Sequence, residues 1–152
     1  MLTGNTRVRL ASQGDWRAIK SLLEEGHLPL EGAREHLSEY FVALIDDIIV
    51  GCAGLERYGN IALLRSVAVA PLMKGKGIGK LLSDRLLQEA KQARIATLYL
   101  LTFTAEEYFA KRGFVCQPLE SAPSLLRASA EFQGACPDSA VLMSLSISKM
   151  SD

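Results

Sequence analysis

Residues 67–82, VAVAPLMKGKGIGKLL, join an apolar strand-like run to a helical pattern through a glycine-rich turn. The apolar run stops at Pro71, which cannot continue a ladder of backbone hydrogen bonds. Glycine then occupies positions 75, 77 and 79, and apolar residues recur at helical spacing from there on. The segment therefore predicts a strand, a tight loop and a helix beginning near Gly77, a unit of a sheet with helices packed on it.

The glycine turn has the composition of an anion-binding site. Unpaired backbone N–H groups converge at a helix N-terminus, the helix dipole favours negative charge there, and glycines let a phosphate approach the backbone. Lys74, Lys76 and Lys80 add positive charge around the turn. The alternative is a glycine-rich turn with solvated lysines.

Two common phosphate-binding loops do not fit this spacing. In a P-loop the glycines are farther apart and a hydroxyl residue follows Gly-Lys, whereas Gly75 and Gly79 are one residue too close and Leu81 follows Lys80. The dinucleotide fingerprint needs a third glycine at position 80, where lysine stands. A different loop geometry must hold the anion.

The rest of the chain alternates strand-like and helix-like segments. Asp15 is expected to cap the first helix, and Thr104 with Glu107 to form a capping box before a later one. The order predicts one α+β domain over residues 1–152, with a mixed sheet and helices packed on it. Strands are expected at 8–12, on both sides of a turn at 46–47, and at 61–70, 97–103, 114–118 and 140–148; helices are expected at 16–25, 33–37, 77–93 and 104–113 and after Pro123.

Composition places the chain among ordinary folded proteins, because 49% of its 152 residues are apolar and 22% are charged. Lysine plus arginine and aspartate plus glutamate both number 17, so no overall field attracts nucleic acid or an anionic membrane. No segment has the apolar length of a signal peptide or approaches the ~20 apolar residues of a membrane span. We expect a cytoplasmic protein that binds neither nucleic acid nor membrane.

Metal sites and disulfides are not expected. Cys52, Cys116 and Cys136 are scattered and form no CxxC pair, which favours small residues of the core or sheet in a reducing compartment. Neither His27 nor His36 has a second ligand type at zinc spacing.

Two segments resemble the GCN5-related N-acetyltransferases, the GNAT family. KGKGIG, residues 74–79, is similar to the family's Arg/Gln-x-x-Gly-x-Gly/Ala motif, and YFAKRGF, residues 108–114, to its Y-x-K-x-GF segment. The resemblance implies the acyl-CoA N-acyltransferase fold, a mixed sheet of six to seven strands with helices on both faces. It also implies acetyl-CoA as co-substrate, with its pyrophosphate on the glycine loop and its pantetheine arm along the preceding strand. The implied cofactor-binding residues are Val67, Ala68, Val69, Lys74, Gly75, Lys76, Gly77, Ile78, Gly79, Lys80 and Phe109.

Longer segments look like the arsenic-resistance-type N-acetyltransferases, small relatives of the acetylglutamate-synthase acetyltransferase domain. These segments are GCAGLERYGNIALLRSVAVAP, LYLLTFTAEEYFAKRGF and APSLLRASAEFQGACPDSAVLM. The likeness implies direct transfer to a small amino-acid-like acceptor, with an arsenic-containing amino acid as one candidate. A homodimer is compatible with it.

Acetyl transfer needs a hydrogen-bond donor for the thioester oxygen, a proton for the leaving thiolate and a neutral amine. The family takes the donor from the strand before the glycine loop, which points to the backbone N–H groups of Val67 and Val69. The family's acid tyrosine falls on Phe109, which has no proton to give. Tyr108 lies about 100° away around a helix and is expected to face elsewhere, so Tyr99, a water or unassisted departure stay open.

Glu56 is the candidate base, directly or through a water. The alternative is an exposed carboxylate paired with Arg57. Arg65 interrupts an apolar strand, so it either binds a substrate carboxylate in a cleft or forms an internal ion pair, because an unpaired buried guanidinium costs about several kcal/mol. Residues 27–32 and Arg127 are further candidates for closing the acceptor site.

Three functions fit these residues. The first is an enzyme that acetylates a small amino compound, and it is the prediction we adopt. The second is a coenzyme-A-binding module without turnover, which Phe109 favours. The third is an acetyltransferase that acts on a protein amine.

Overall fold

The computed structural model describes residues 6–102, 104–135 and 140–147. The strands are β1 (Thr6–Leu10), β2 (Tyr40–Ile45), β3 (Ile48–Tyr58), β4 (Ile61–Val69), β5 (Thr97–Thr102), β6 (Val115–Gln117) and β7 (Val141–Ser146). The α-helices are α1 (Trp16–Glu25), α2 (Ile78–Gln92) and α3 (Glu106–Ala110). Shorter helical turns lie at Gln13–Asp15, Arg34–Glu39, Pro71–Met73, Leu119–Ser121, Leu126–Ala128 and Glu131–Ala135.

The described strands form one seven-stranded sheet in the order β1-β2-β3-β4-β5-β7-β6. Neighbouring strands are antiparallel except β4 and β5, which run parallel. Parallel neighbours need a crossover connection, and α2 provides it. The predicted mixed sheet of six to seven strands is confirmed.

Helices cover both faces of the sheet, as the resemblance implied. On one face α2 buries Leu82 and Leu86 in a cluster with residues of β3, β4, β5 and β7. On the other face α1 buries Ile19 and Leu23 in a cluster with residues of β2 and β3. Each such side chain contributes about 1.5–3 kcal/mol by leaving water. The two clusters hold β4 between them and fix where the glycine turn emerges.

Local signals placed the β2–β3 hairpin and the start of α1 correctly. Asp46 and Asp47 both have positive φ, 49° and 67°, as a two-residue hairpin turn of the I′ type requires. Asp15 directly precedes α1, but its carboxylate accepts hydrogen bonds from Arg9 (2.8 Å) and the Ser12 N–H (2.8 Å) rather than capping that helix. These partners, the arginine foremost, lower the pKa of Asp15 to about 2.

The predicted capping box before α3 is wrong. No side chain caps α3, whose N-cap is Ala105. The N–H of Ala105 instead donates to Thr102 Oγ1 at 3.1 Å. Thr104 and Glu107 therefore have no capping role, because the chain turns off β5 through Thr102.

The predicted helix after Pro123 is also wrong, since the described residues that follow it form short helical turns at Leu126–Ala128 and Glu131–Ala135 rather than one helix. Leu126 packs with Leu63 of β4 and Leu142 of β7 in a third small cluster. This tertiary contact holds the segment across the sheet, and the chain gains more by burying Leu126 than by extending a helix.

The cysteines that the structure describes lie in strands, as predicted. Cys52 is buried on β3 and Cys116 is exposed on β6, and neither forms a disulfide. Burial raises the pKa of the Cys52 thiol to about 12. Cys136 lies outside the described residues.

Candidate active site between β4 and β5

A cavity opens where two parallel strands separate. β4 and β5 pair only from Ile61 with Thr97 to Leu63 with Tyr99, and beyond that point they diverge. The cavity between them has a volume of about 1370 Å³. Ligand pockets for small molecules measure about 300–1,000 Å³, so this one has room for a large ligand or for two ligands side by side.

The glycine turn forms one end of this cavity. Gly75 and Gly77 have φ of 81° and 84°, and no atom lies within 4 Å of where a Cβ would stand on either. Gly77 is the N-cap of α2, which begins at Ile78. The first N–H groups of a helix have no acceptor within it, so those at the start of α2 are available to a ligand.

An unpaired strand edge runs along the middle of the cavity. The N–H of Ala70 donates to Val50 O on β3 at 2.8 Å. Because backbone groups alternate in direction along a strand, the N–H groups of Val69 and Val67 point the other way, into the space that β5 leaves. Their side chains are partly buried and pack against the cluster that contains α2.

Tyr108 lines the cavity, so the prediction that it faces elsewhere is wrong. Its hydroxyl oxygen is buried without a hydrogen-bond partner among the described residues and lies 2.8 Å from where a Cβ on Gly79 would stand. The Arg112 guanidinium lies over its ring at 3.9 Å. Phe109 also borders the cavity but is 7% exposed and packs edge-on against Phe114. α3 thus presents a phenol to the cavity and puts the adjacent phenylalanine into the core.

A β-bulge shapes the opposite end. Arg65 lies opposite Gly54 and Ala68 opposite Cys52, so β4 has one residue more than β3 in between, and Ser66 has φ of 62°. Such a bulge turns two consecutive side chains to one face. The Ser66 hydroxyl accordingly lies 3.1 Å from Arg65 Nε and 2.6 Å from Tyr40 Oη.

Arg65 is fully buried at this end and forms the internal ion pair that the sequence left as one alternative. Its Nη1 donates to Glu56 Oε2 at 2.7 Å, and its Nε is 3.4 Å from Glu131 Oε2. Its Nη2 donates to Pro29 O at 3.1 Å. Burial works to lower the pKa of Arg65, but the charges around it, including both carboxylates, raise it overall. Arg65 also lines the cavity, so the cleft alternative is compatible with the pair.

Glu56 is buried, so the alternative of an exposed carboxylate paired with Arg57 is wrong. Side chains alternate along β3, and Arg57 points outward to Glu39, with Nε–Oε1 at 2.9 Å. Glu56 accepts hydrogen bonds from Tyr58 and Arg65. Burial works to raise the pKa of Glu56, but these bonds lower it overall. Glu56 does not line the cavity.

This geometry agrees with a known family. The chain matches the Acetyltransferase (GNAT) domain family over residues 36–116. It is 38% identical over 117 residues to the amino-acid acetyltransferase of Mycobacterium tuberculosis, covering 70% of this chain and 67% of that protein. The chain belongs to the GNAT acetyltransferase family.

Solved structures show the same fold. The N-acetylglutamate synthase of Neisseria gonorrhoeae, complexed with coenzyme A and N-acetyl-glutamate, superposes with a TM-score of 0.81 at 24% identity and covers 96% of this chain. A Mycobacterium tuberculosis protein in complex with CoA gives a TM-score of 0.78 at 30% identity, covering 92% of this chain and 98% of that one. The chain spans only 36% of the gonococcal enzyme and 30% of the amino-acid acetyltransferase of Neisseria meningitidis.

Nearly all the predicted coenzyme A residues of this GNAT protein line the cavity, and Lys76 is the exception. Lys80 lines it while its Nζ pairs with Asp84 at 2.8 Å on the surface. Residues 27–31 of the predicted acceptor loop line it as well, whereas Arg127 and Tyr99 do not. The cavity-lining residues among those predicted are Arg65, Val67, Ala68, Val69, Lys74, Gly75, Gly77, Ile78, Gly79, Lys80 and Phe109.

Ser66, Tyr108 and Glu131 line this cavity but were not identified from the sequence. Glu131 carried no signal, because its pairing with Arg65 depends on how the C-terminal turns fold back over β4. Ser66 directly follows Arg65 in an otherwise apolar strand. Two consecutive polar residues in such a strand are a signal that could have indicated the bulge.

No group of three or more His, Cys, Asp or Glu side chains among the described residues is placed to hold a metal ion. No helix among those residues is long and apolar enough to cross a bilayer.

Proposed function

We propose that this GNAT protein transfers the acetyl group of acetyl-CoA to the amine of a small amino-acid acceptor, directly and in a ternary complex. One observation carries the proposal: a single cavity joins a glycine turn at a helix N-terminus to a buried arginine and carboxylate, with an unpaired strand edge between them. The relatives named amino-acid acetyltransferase support the acceptor class.

The glycine end fits the phosphate end of coenzyme A. Gly75 and Gly77 leave open the space that a Cβ would fill, and the first N–H groups of α2 face it. The buried Tyr108 hydroxyl supplies a second, independent sign of a ligand, because a buried polar group without a partner costs about 1–3 kcal/mol. We therefore assign coenzyme A contacts to this end, with Phe109 as an apolar wall and the lysines as surrounding charge.

The strand edge fits the thioester. We assign the N–H groups of Val67 and Val69 as donors to the carbonyl oxygen as it gains negative charge, and a preorganised backbone donor of this kind contributes about 3–4 kcal/mol. We assign binding of the acceptor carboxylate to Arg65, and Glu56 holds the Arg65 guanidinium in position. A direct base role for Glu56 stays a prediction.

The Tyr108→Phe variant tests whether the Tyr108 hydroxyl contributes to coenzyme A binding rather than to the stability of the fold. Because the hydroxyl has no partner among the described residues, its loss should leave the free energy of unfolding unchanged or raise it by up to about 1 kcal/mol. Coenzyme A affinity should fall about three- to tenfold in calorimetric titration, as for one lost hydrogen bond. Tyr99→Phe, outside the cavity, is the matched control and should bind normally. Unchanged affinity in Tyr108→Phe would contradict the assignment.

The function itself is tested by thiol release from acetyl-CoA against twenty amino acids, their decarboxylated amines and short peptides. We expect thiol release with at least one free amino acid and no thiol release with the peptides. Coenzyme A binding without turnover on any amine would identify a non-catalytic module, and turnover on peptides alone would identify a protein acetyltransferase. An arsenic-containing acceptor, a cytoplasmic location and a homodimer stay predictions.

A further inference from the structure

We propose that Glu131 binds the ammonium group of the acceptor and removes its proton, with Arg65 as the residue that positions it. The inference rests on the proposed acetyl transfer and names a base that neither the sequence motifs nor the family resemblance supplied. It also defines the acceptor class as zwitterionic α-amino acids.

The first step is the location of Glu131. It is 5% exposed, and it lines the cavity together with Arg65 and Ser66. Among the described charged residues that line the cavity, Glu131 and Arg65 are the two that are buried. Burying charged groups costs free energy. A buried ion pair that lines a cavity is therefore a place where a ligand of complementary charge binds favourably.

The second step is the orientation of the pair. Glu131 Oε2 lies 3.4 Å from Arg65 Nε, and the N–H of Glu131 donates to Ser129 Oγ at 3.2 Å. Arg65 is held in turn by Glu56, Ser66 and Pro29. Glu131 is thus fixed from both its backbone and its side chain, which is the preorganisation a catalytic group needs.

The third step excludes Glu56 from direct contact. Glu56 lies behind Arg65, does not line the cavity, and accepts hydrogen bonds from Tyr58 and Arg65. His36 approaches it from the outside, with Nε2 at 3.7 Å from Oε1. Both carboxylates contact the Arg65 guanidinium, and Glu131 is the one that lines the cavity. A carboxylate at that position attracts an arriving ammonium group.

The chemistry follows from these positions. An acceptor amine is an ammonium ion at neutral pH and has no lone pair for attack. Glu131 takes one proton from it, the freed lone pair forms the C–N bond with the thioester carbon of acetyl-CoA, and the C–S bond breaks with its electrons on sulfur. The nitrogen loses its second proton as the thiolate gains one, so the products are an amide, the free thiol and one proton.

The same pair explains why an amino acid would be chosen over a simple amine. A guanidinium has five N–H donors, and three of the groups on Arg65 contact Glu56, Pro29 and Ser66. Each terminal nitrogen has a second N–H. An α-amino acid carries its carboxylate and ammonium one carbon apart, and an adjacent arginine and glutamate match that arrangement.

Glu131→Gln tests the role of Glu131 in thiol-release assays on the full chain, with Glu24→Gln as the matched control. Glu24 is an exposed carboxylate that lines the same cavity but belongs neither to the glycine turn nor to the predicted acceptor loop. We expect Glu131→Gln to lower kcat at pH 7 by at least about 100-fold, the usual effect of losing a base. The loss should shrink as pH rises and free amine forms, while coenzyme A affinity stays within about twofold of wild type, because the cofactor end is untouched. Glu24→Gln should keep nearly full activity at every pH.

Glu131→Asp keeps the carboxylate and provides a second variant in case the first does not fold. It should retain more activity than Glu131→Gln and the pH profile of wild type. If wild type is active and the kcat of Glu131→Gln lies within about threefold of the wild-type kcat, the role of Glu131 is overturned. The proposed acetyl transfer would not be affected by that result. A loss that no pH recovers, or that appears equally in coenzyme A affinity, would mean a structural role and would also overturn it. A wild type that is inactive on every amine would overturn the proposed function as well.

Discussion

Gly77→Val is expected to weaken acetyl-CoA binding at least about tenfold, because the valine side chain would enter the space that a phosphate needs at the start of α2. In the structure that space is open, with no atom within 4 Å of a Cβ on Gly77. The residue also has φ of 84°, which a β-branched side chain adopts only with strain. Calorimetric titration with coenzyme A measures the change.

Gly59→Val is the control that separates the effect of backbone strain from the loss of coenzyme A binding in Gly77→Val. Gly59 lies in the β3–β4 turn with φ of 67°, and a Cβ there would also meet no atom within 4 Å. Both variants should lose a similar amount of stability, about 1–2 kcal/mol. Only Gly77→Val should lose affinity. Equal affinity in the two folded variants would show that the glycine turn does not bind the pyrophosphate.

Arg65→Lys is expected to raise the KM for the amino-acid acceptor at least about tenfold, because lysine keeps the charge but loses the planar fork that grips a carboxylate. The KM for acetyl-CoA should stay within about twofold, since the pyrophosphate end lies at the other side of the cavity. Stability should fall as well, by about 1–3 kcal/mol, because lysine cannot reproduce the contacts with Glu56, Ser66 and Pro29.

If Arg65→Lys lowers the stability but leaves both KM values unchanged, Arg65 serves only as a member of an internal ion pair. Arg57→Lys, on the outer face of β3 and paired with Glu39, is the control and should leave both KM values unchanged. A comparison of each amino acid with its decarboxylated amine adds a second criterion. If wild type uses the amine as well as the amino acid, recognition of the carboxylate by Arg65 is wrong.

The sequence by itself determined the strand, glycine turn and helix at the cofactor end. Pro71, the spacing of Gly75, Gly77 and Gly79, and the helical pattern after them are local signals, and each acts through its own backbone geometry. The hairpin at Asp46 followed in the same way. The residues that we propose to contact a phosphate through their backbone could therefore be named without any tertiary information.

Only the tertiary structure decided the acceptor end. The bulge at Ser66 depends on the register between β3 and β4, which no local pattern fixes. Tyr108 and Phe109 are neighbours in sequence, and the packing of α3 decided that Phe109 packs on Phe114 while the Tyr108 hydroxyl lies at the cavity. Glu131 is far from Arg65 along the chain and meets it only because the C-terminal turns cross β4. Contacts between distant segments depend on how the layers pack, so a single sequence could indicate that Arg65 needed a partner but could not say which carboxylates supply it.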